Sequence, residues 1–158
     1  MDEWEDRLAG LAAMPARVAG FREAFAGDGA RARPEPQAFS YVEQVWHLAD
    51  LEVEGFGERI RRLLAEEAPA LSNFDGARMA AERDYPRRDV AEGLGAFAEA
   101  RARNVEALRR TTAAERSRSG VQEGVGTLRL VEIPLRMLEH DRSHRSEIEA
   151  LLRAVAGL

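Results

Sequence analysis

The 158-residue chain contains no cysteine. That absence removes disulfides, iron–sulfur clusters, thiolate zinc sites and a cysteine nucleophile. Lysine is missing too, because all 23 basic residues are arginines. No side-chain amine can therefore form a Schiff base or serve as a base of depressed pKa. Nor is there an excess of positive charge: 28 acidic residues leave a net charge of −5. A nucleic-acid-binding module ordinarily carries the opposite balance, so no nucleic-acid partner is expected. No apolar run approaches the ~20 residues of a membrane span. The opening residues Asp2, Glu3, Glu5 and Asp6 are acidic where a secretory signal would be basic, and the expected location is the cytoplasm. Strand-like alternation is scarce, and no fixed-period repeat is present.

What the chain does have is helical periodicity. With 45% hydrophobic and 32% charged residues, it reads as one globular domain over residues 1–158. A first helical region is predicted over 3–26, where Pro15 either opens a second helix or kinks a single one. Ser40 and Glu43 form an S-x-x-E capping box before a second helix over 41–67. Its apolar stripe is Val42, Val45, Trp46, Ala49, Val53, Phe56, Ile60 and Leu63. Residues 68–88 form a long connection with a short helical turn near 77–83. A third helix follows, opened by Asp89 and Glu92 and running to about 110. Thr112 and Glu115 predict a short helix that stops at Gly120. Thr127 is expected to cap a last helix reaching about 155, with Pro134 kinking it or detaching its first turn. Four long amphipathic helices predict an all-α four-helix bundle. The long connection between helices 2 and 3 permits a crossover topology.

Only three histidines are present: His47, His140 and His144. The last two stand at i, i+4 and share a helix face, a spacing that lets two imidazoles grip one cation. A third ligand must come from another helix, and His47 is the remaining histidine. Three nitrogen ligands with open positions make a catalytic type of site for zinc, nickel or iron(II). Surface pairs at this spacing also arise by chance. At 100° per residue, His47 falls roughly 150° from the apolar stripe, which makes it either solvent-facing or part of a polar cleft. His144 leans into the apolar face of the last helix, with His140 at its edge.

The segment from Phe39 to Asp50, reading F-S-Y-V-E-Q-V-W-H-L-A-D, resembles the start of helix 2 in the DinB-like superfamily. The segment Met137 to His144, with its H-D-x-x-H, resembles that family's second motif. The resemblance covers nearly the whole chain. It implies a four-helix bundle of up-down-down-up order, and a divalent metal held by His47, His140 and His144. It also implies a metal-dependent hydrolase or a transferase that uses a low-molecular-weight thiol, acting on a small molecule and commonly as a homodimer. Three positions depart from the family pattern: Phe39 for a frequent tryptophan, Pro134 within the last helix, and Glu147 for a frequent glutamine.

A three-histidine ion with open positions can acidify water, giving a hydrolase, or deprotonate an incoming thiol, giving a transferase. Carboxylates should orient the imidazoles. By helical angle Glu43 and Asp50 flank His47, and Glu147 lies near His140 and His144. Asp50 is the first choice as proton acceptor. Asp141 points about 80° away from that face, so it ties the last helix to a neighbour or pairs with Arg145. In the 68–88 connection Phe74, Asp75, Arg83 and Tyr85 are candidates to line or cover the site, Arg83 by holding an anionic substrate. Trp46 and Phe56 read as packing. The alternatives are a metal-binding protein without catalysis, or a metal-free bundle acting through dimerisation.

Overall fold

The computed structural model describes residues 2–156. α1 (Glu3–Ala19) opens at Asp2, whose side chain accepts a bond from the Trp4 amide. It buries Trp4, Leu8, Leu11, Met14 and Val18 at spacings of three and four. Pro15 lies inside this one helix and starts no second one. The helix ends before the predicted boundary at 26, because Arg22–Phe25 and Gly27–Arg31 wind as 3-10 turns. Gly27, at φ +62°, takes a conformation that favours glycine.

The second rod runs unbroken from residue 41 to 65 but is not uniform. α2 (Tyr41–Asp50) begins at the Ser40–Glu43 capping box. Leu51–Gly57 then winds as a π-helix, and α3 (Glu58–Ala65) resumes α-geometry. A π segment takes more residues per turn, so angles summed across it at 100° per residue drift out of phase. Val53, predicted on the apolar stripe, is 51% exposed, while its neighbour Glu52 is 1% exposed. Gly57 permits close packing here, since a Cβ would fall 2.6 Å from the Glu52 carbonyl oxygen.

The connection to the third rod carries β1 (Ala70–Leu71), α4 (Gly76–Glu82) and a 3-10 turn, Tyr85–Arg87. α5 (Val90–Arg109) starts at Asp89, whose side chain accepts from the Glu92 amide at 2.9 Å. α6 (Ala113–Arg116) has the predicted Thr112–Glu115 box but ends before Gly120. The next residues form a hairpin that the sequence pattern did not show. β2 (Ser119–Gln122) pairs antiparallel with β3 (Gly126–Arg129) and parallel with β1. Strands of two to four residues are too short to leave a period. Thr127 is therefore a strand residue opposite Val121 and caps no helix. α7 (Ile133–Ala156) follows a 3-10 turn, Leu130–Glu132. Pro134 falls in the first turn of α7, where its missing N–H leaves no helical bond unmade.

α5 packs against both α1 and α2, and so does α7. The second and third rods are thus neighbours joined by the long crossover connection, the four-helix bundle expected from the sequence. One apolar cluster gathers around Tyr41, Val45, Phe97 and Ile148; another gathers around Leu8, Leu63, Leu108 and Met137. The buried polar groups Glu52, Arg101 and Asp141 fall between these clusters along the rods. No helix among the described residues is long and apolar enough to cross a membrane.

Candidate metal centre

The three histidines converge. His47 projects from α2, and His140 and His144 project from successive turns of α7. One nitrogen from each ring lies within 4.8 Å of the others. Ring centroids are 4.7 Å apart for His47 and His144, 5.7 Å for His47 and His140, and 4.2 Å for His140 and His144. His47 is only 8% exposed, which excludes the solvent-facing placement its helical angle allowed. The reason is that α2 is covered on every side, with all residues from Tyr41 to Ala49 buried.

Burial disfavours charge on His47 and His140. It pushes His47 down to about 4, with the neighbouring His144 adding to the effect. His140 falls to about 3, again first through burial and then through His144 and His47. Both rings are neutral near pH 7, and a neutral imidazole offers a nitrogen lone pair.

The proton on His144 is placed by two partners. Its Nδ1 lies 2.6 Å from Oε1 of Gln44. The amide oxygen can only accept, so Nδ1 carries a proton, and in the neutral ring Nε2 is then the lone-pair nitrogen. Gln44 in turn donates from Nε2 to Oε2 of Glu147 at 2.6 Å. Bonding to His144 and Gln44 holds the Glu147 carboxyl down to about 2, so it is ionised at neutral pH. The bare Nε2 of His144 faces Nε2 of His140 at 3.0 Å. Two lone pairs cannot meet at that distance without a proton or cation between them. Nδ1 of His47 is buried with no hydrogen-bond partner. A cluster of basic nitrogens with an orphaned ring atom is relieved by a divalent ion, and the donor set fits one.

The ring of His47 rests against Gly76 at the start of α4. A Cβ there would fall 2.7 Å from Cε1 and 2.8 Å from Nδ1, so only glycine leaves room. Phe39 and Phe74 lie 5.5 and 5.9 Å from the His47 ring, and Phe56 meets His140 edge-on at 5.8 Å. Phe74 thus does line the cluster, as predicted. Phe56, read as packing, is buried but also touches His140. Asp75 instead caps α4, accepting from the Arg78 amide at 3.0 Å.

Several predicted neighbours are engaged elsewhere. The Asp50 carboxylate accepts from the Tyr85 hydroxyl and pairs with Arg83 at 3.0 Å, so it is not a free proton acceptor. Arg83 also binds Glu54 at 2.8 Å, which leaves its charge matched by two carboxylates instead of offered to an anionic ligand. Tyr85 is fully buried and lines no opening. These three residues lock the end of α4 onto the second rod. Glu43 is spent on the helix cap and on Arg33, which grips both its oxygens. Asp141 turns to α5 and binds Arg101, while Arg145 pairs with Glu149. Among the predicted carboxylates Glu147 is the one that lies beside a ring nitrogen, 3.4 Å from Nδ1 of His144, while Asp50 acts on His47 only through its charge. Gln44 and Gly76 are the site residues that sequence reasoning missed. Gln44 had a signal, since it stands one turn before His47 on the same helix. Gly76 had none, because its contact with His47 is made only in the folded chain.

A cavity of about 800 Å³ opens onto His47 and His144, between residues 33–39, α4 and the later turns of α7. Fold and site together define a four-helix bundle whose interior carries a three-histidine cluster suited to a divalent ion. The model of the DinB superfamily matches residues 10–148, and the chain belongs to that superfamily. Among solved structures it is similar to YfiT from Bacillus subtilis, described as "a probable metal-dependent hydrolase with an unusual four-helix bundle topology". That match has 21% identity and a TM-score of 0.87, and it covers 99% of this chain and 90% of that one. At this identity the likeness establishes a shared fold. No curated protein matches the sequence.

Proposed function

We propose that the protein is a divalent-metal-dependent hydrolase that holds its ion through His47, His140 and His144. The observation that carries this reading is the convergence of one nitrogen from each of three rings to within 4.8 Å, one ring also having a buried, unpartnered nitrogen. Superfamily membership and the printed description of YfiT support it. Zinc, nickel and iron(II) all suit three imidazole ligands. When bound, the ion supplies a Lewis acid that lowers the pKa of a water or thiol bound to it.

The chain's own residues prepare that site. Glu147 holds the amide of Gln44, and Gln44 holds the proton on Nδ1 of His144, which directs the bare Nε2 at the cluster. Gly76 seats the His47 ring, Phe39 and Phe74 pack beside that ring, and Phe56 packs edge-on against His140.

The test is calorimetric titration of chelator-treated protein with zinc, nickel and iron(II), joined to elemental analysis. One ion per chain is expected, and His144→Ala should bind it at least ~100-fold more weakly. Unchanged metal content in that variant overturns the ligand set. Ester and amide hydrolysis by the loaded protein should need no thiol. Turnover of an electrophile only when a low-molecular-weight thiol is added replaces hydrolysis with thiol transfer.

A further inference from the structure

The second rod and the start of α7 bring together two guanidinium groups that no carboxylate matches. Arg59 of α3 is 8% exposed. Its Nε is buried without a hydrogen-bond partner, and its Nη2 reaches only the Ser72 carbonyl oxygen, at 3.4 Å. Nη1 makes no hydrogen bond and, unlike Nε, is not sealed from solvent. The charged group that faces Arg59 is another cation, Arg136 of α7. Burial first, and then the charge of Arg136, push the Arg59 pKa down. The guanidinium nonetheless stays charged at neutral pH.

Arg136 is half-buried and makes no ion pair among the described residues. The acid one turn before it, Glu132, is held by the amide and the guanidinium of Arg129. Arg101 shows how the same fold treats a buried arginine it has matched, with Glu52 and Asp141 both bonded to it. Arg59 has no such partner, and a buried cation without an anion is costly. The pair also stands next to the histidines. Arg136 precedes His140 by one helical turn, so the two share a face of α7. Phe56 touches both sides, its ring lying 5.5 Å from Cζ of Arg59 and 5.8 Å from the His140 ring. Ser72 is exposed, so the Arg59 guanidinium ends near the surface.

We propose that Arg59 and Arg136 form a subsite for the carboxylate or phosphate group of a small-molecule substrate, one helical turn from His140. Two guanidinium groups present planar sets of donors that suit either oxyanion. The word substrate rests on the metal-dependent reading, but affinity for the anion is a property of the two arginines.

The test uses the full chain, stripped of metal and then freed of chelator, at neutral pH and low ionic strength. Calorimetric titration with inorganic phosphate, and separately with acetate, should saturate at one anion per chain for at least one of them, and the tighter anion identifies the group. Arg59→Met and Arg136→Met should each weaken that binding at least ~10-fold. Arg103→Met, which removes an exposed arginine of α5, should leave it unchanged. In NMR spectra the guanidinium signal that Arg59→Met deletes should shift when the wild type is titrated. Because the wild-type side chain is an unmatched buried cation, Arg59→Met should not lower the urea midpoint. Binding that does not saturate, equal binding in wild type and both methionine variants, or a sharp fall of the urea midpoint in Arg59→Met overturns the proposal. A parallel zinc titration separates the two readings, and Arg59→Met should take up zinc as the wild type does. A chain that binds the anion but no metal defeats the hydrolase alone, and a chain that binds metal but not the anion defeats the subsite alone.

Discussion

Two terminal nitrogens of Arg101 each lie 2.8 Å from a carboxylate oxygen of Asp141, the residue that follows His140. The same guanidinium binds Glu52, five residues after His47, at 2.8 and 3.1 Å, and the Leu11 carbonyl at 2.9 Å. α5 contributes no ring to the cluster, yet through Arg101 it ties together the two rods that carry all three histidines. Arg101 is 1% exposed. Arg101→Ala leaves two carboxylates buried without their cation, which should cost about 3–5 kcal/mol. Urea unfolding monitored by circular dichroism measures that loss.

Gln44 acts on the site through His144. Gln44→Leu removes the acceptor for Nδ1–H and releases Glu147, and it should weaken metal binding about 10–100-fold in calorimetry. Gln44→Glu keeps an acceptor at that atom but loses the donor to Glu147 and sets two carboxylates together, so it should restore only part of the affinity. Equal affinity in wild type and Gln44→Leu would show that the tautomer of His144 needs no such support.

Gly76→Ala tests the seat of His47. The added methyl overlaps the ring, and either the ring or α4 must move. The expected cost is about 1–3 kcal/mol in thermal unfolding, accompanied by a shift of the His47 imidazole signals in NMR spectra. An unshifted ring would mean that α4 gives way first.

Tyr41 sets an alkaline limit. Its hydroxyl donates to the Val18 carbonyl at 2.7 Å, and burial pushes its pKa up to about 12. A phenol in the unfolded chain ionises near ~10. Because the folded value is the higher one, the contribution is whole below pH ~10 and is lost as pH rises toward 12. Across that window stability should fall by about 3 kcal/mol from this residue. Tyr85, buried and bonded to Asp50, is also raised and steepens the decline. Tyr41→Phe should therefore flatten part of the slope, while costing about 1 kcal/mol at neutral pH.

Much of this protein was legible before folding. Capping boxes at Ser40–Glu43 and Thr112–Glu115 mark helix starts because their bonds span three residues. The His140–His144 pair was legible for the same reason, as i, i+4 neighbours must share a face. Thr127 misled, because a threonine before an apolar run can cap a helix or pair in a strand, and its partner Val121 decided for the strand. Asp50, Arg83 and Tyr85 misled together: each is chemically fit for an active site, and each is taken up by the others.

Local sequence determined the helices, the crossover connection, the absence of thiol and amine chemistry, and the histidine pair on one turn, since these depend on composition or on contacts a few residues long. The tertiary structure alone decided which way His47 faces and which carboxylates remain free. A π segment upset the phase of the second rod. The groups that hold or neutralise the site residues, Gln44 against His144 and Arg101 against Asp141, come from 100 and 40 residues away. Bonds over such separations exist only once the rods have packed.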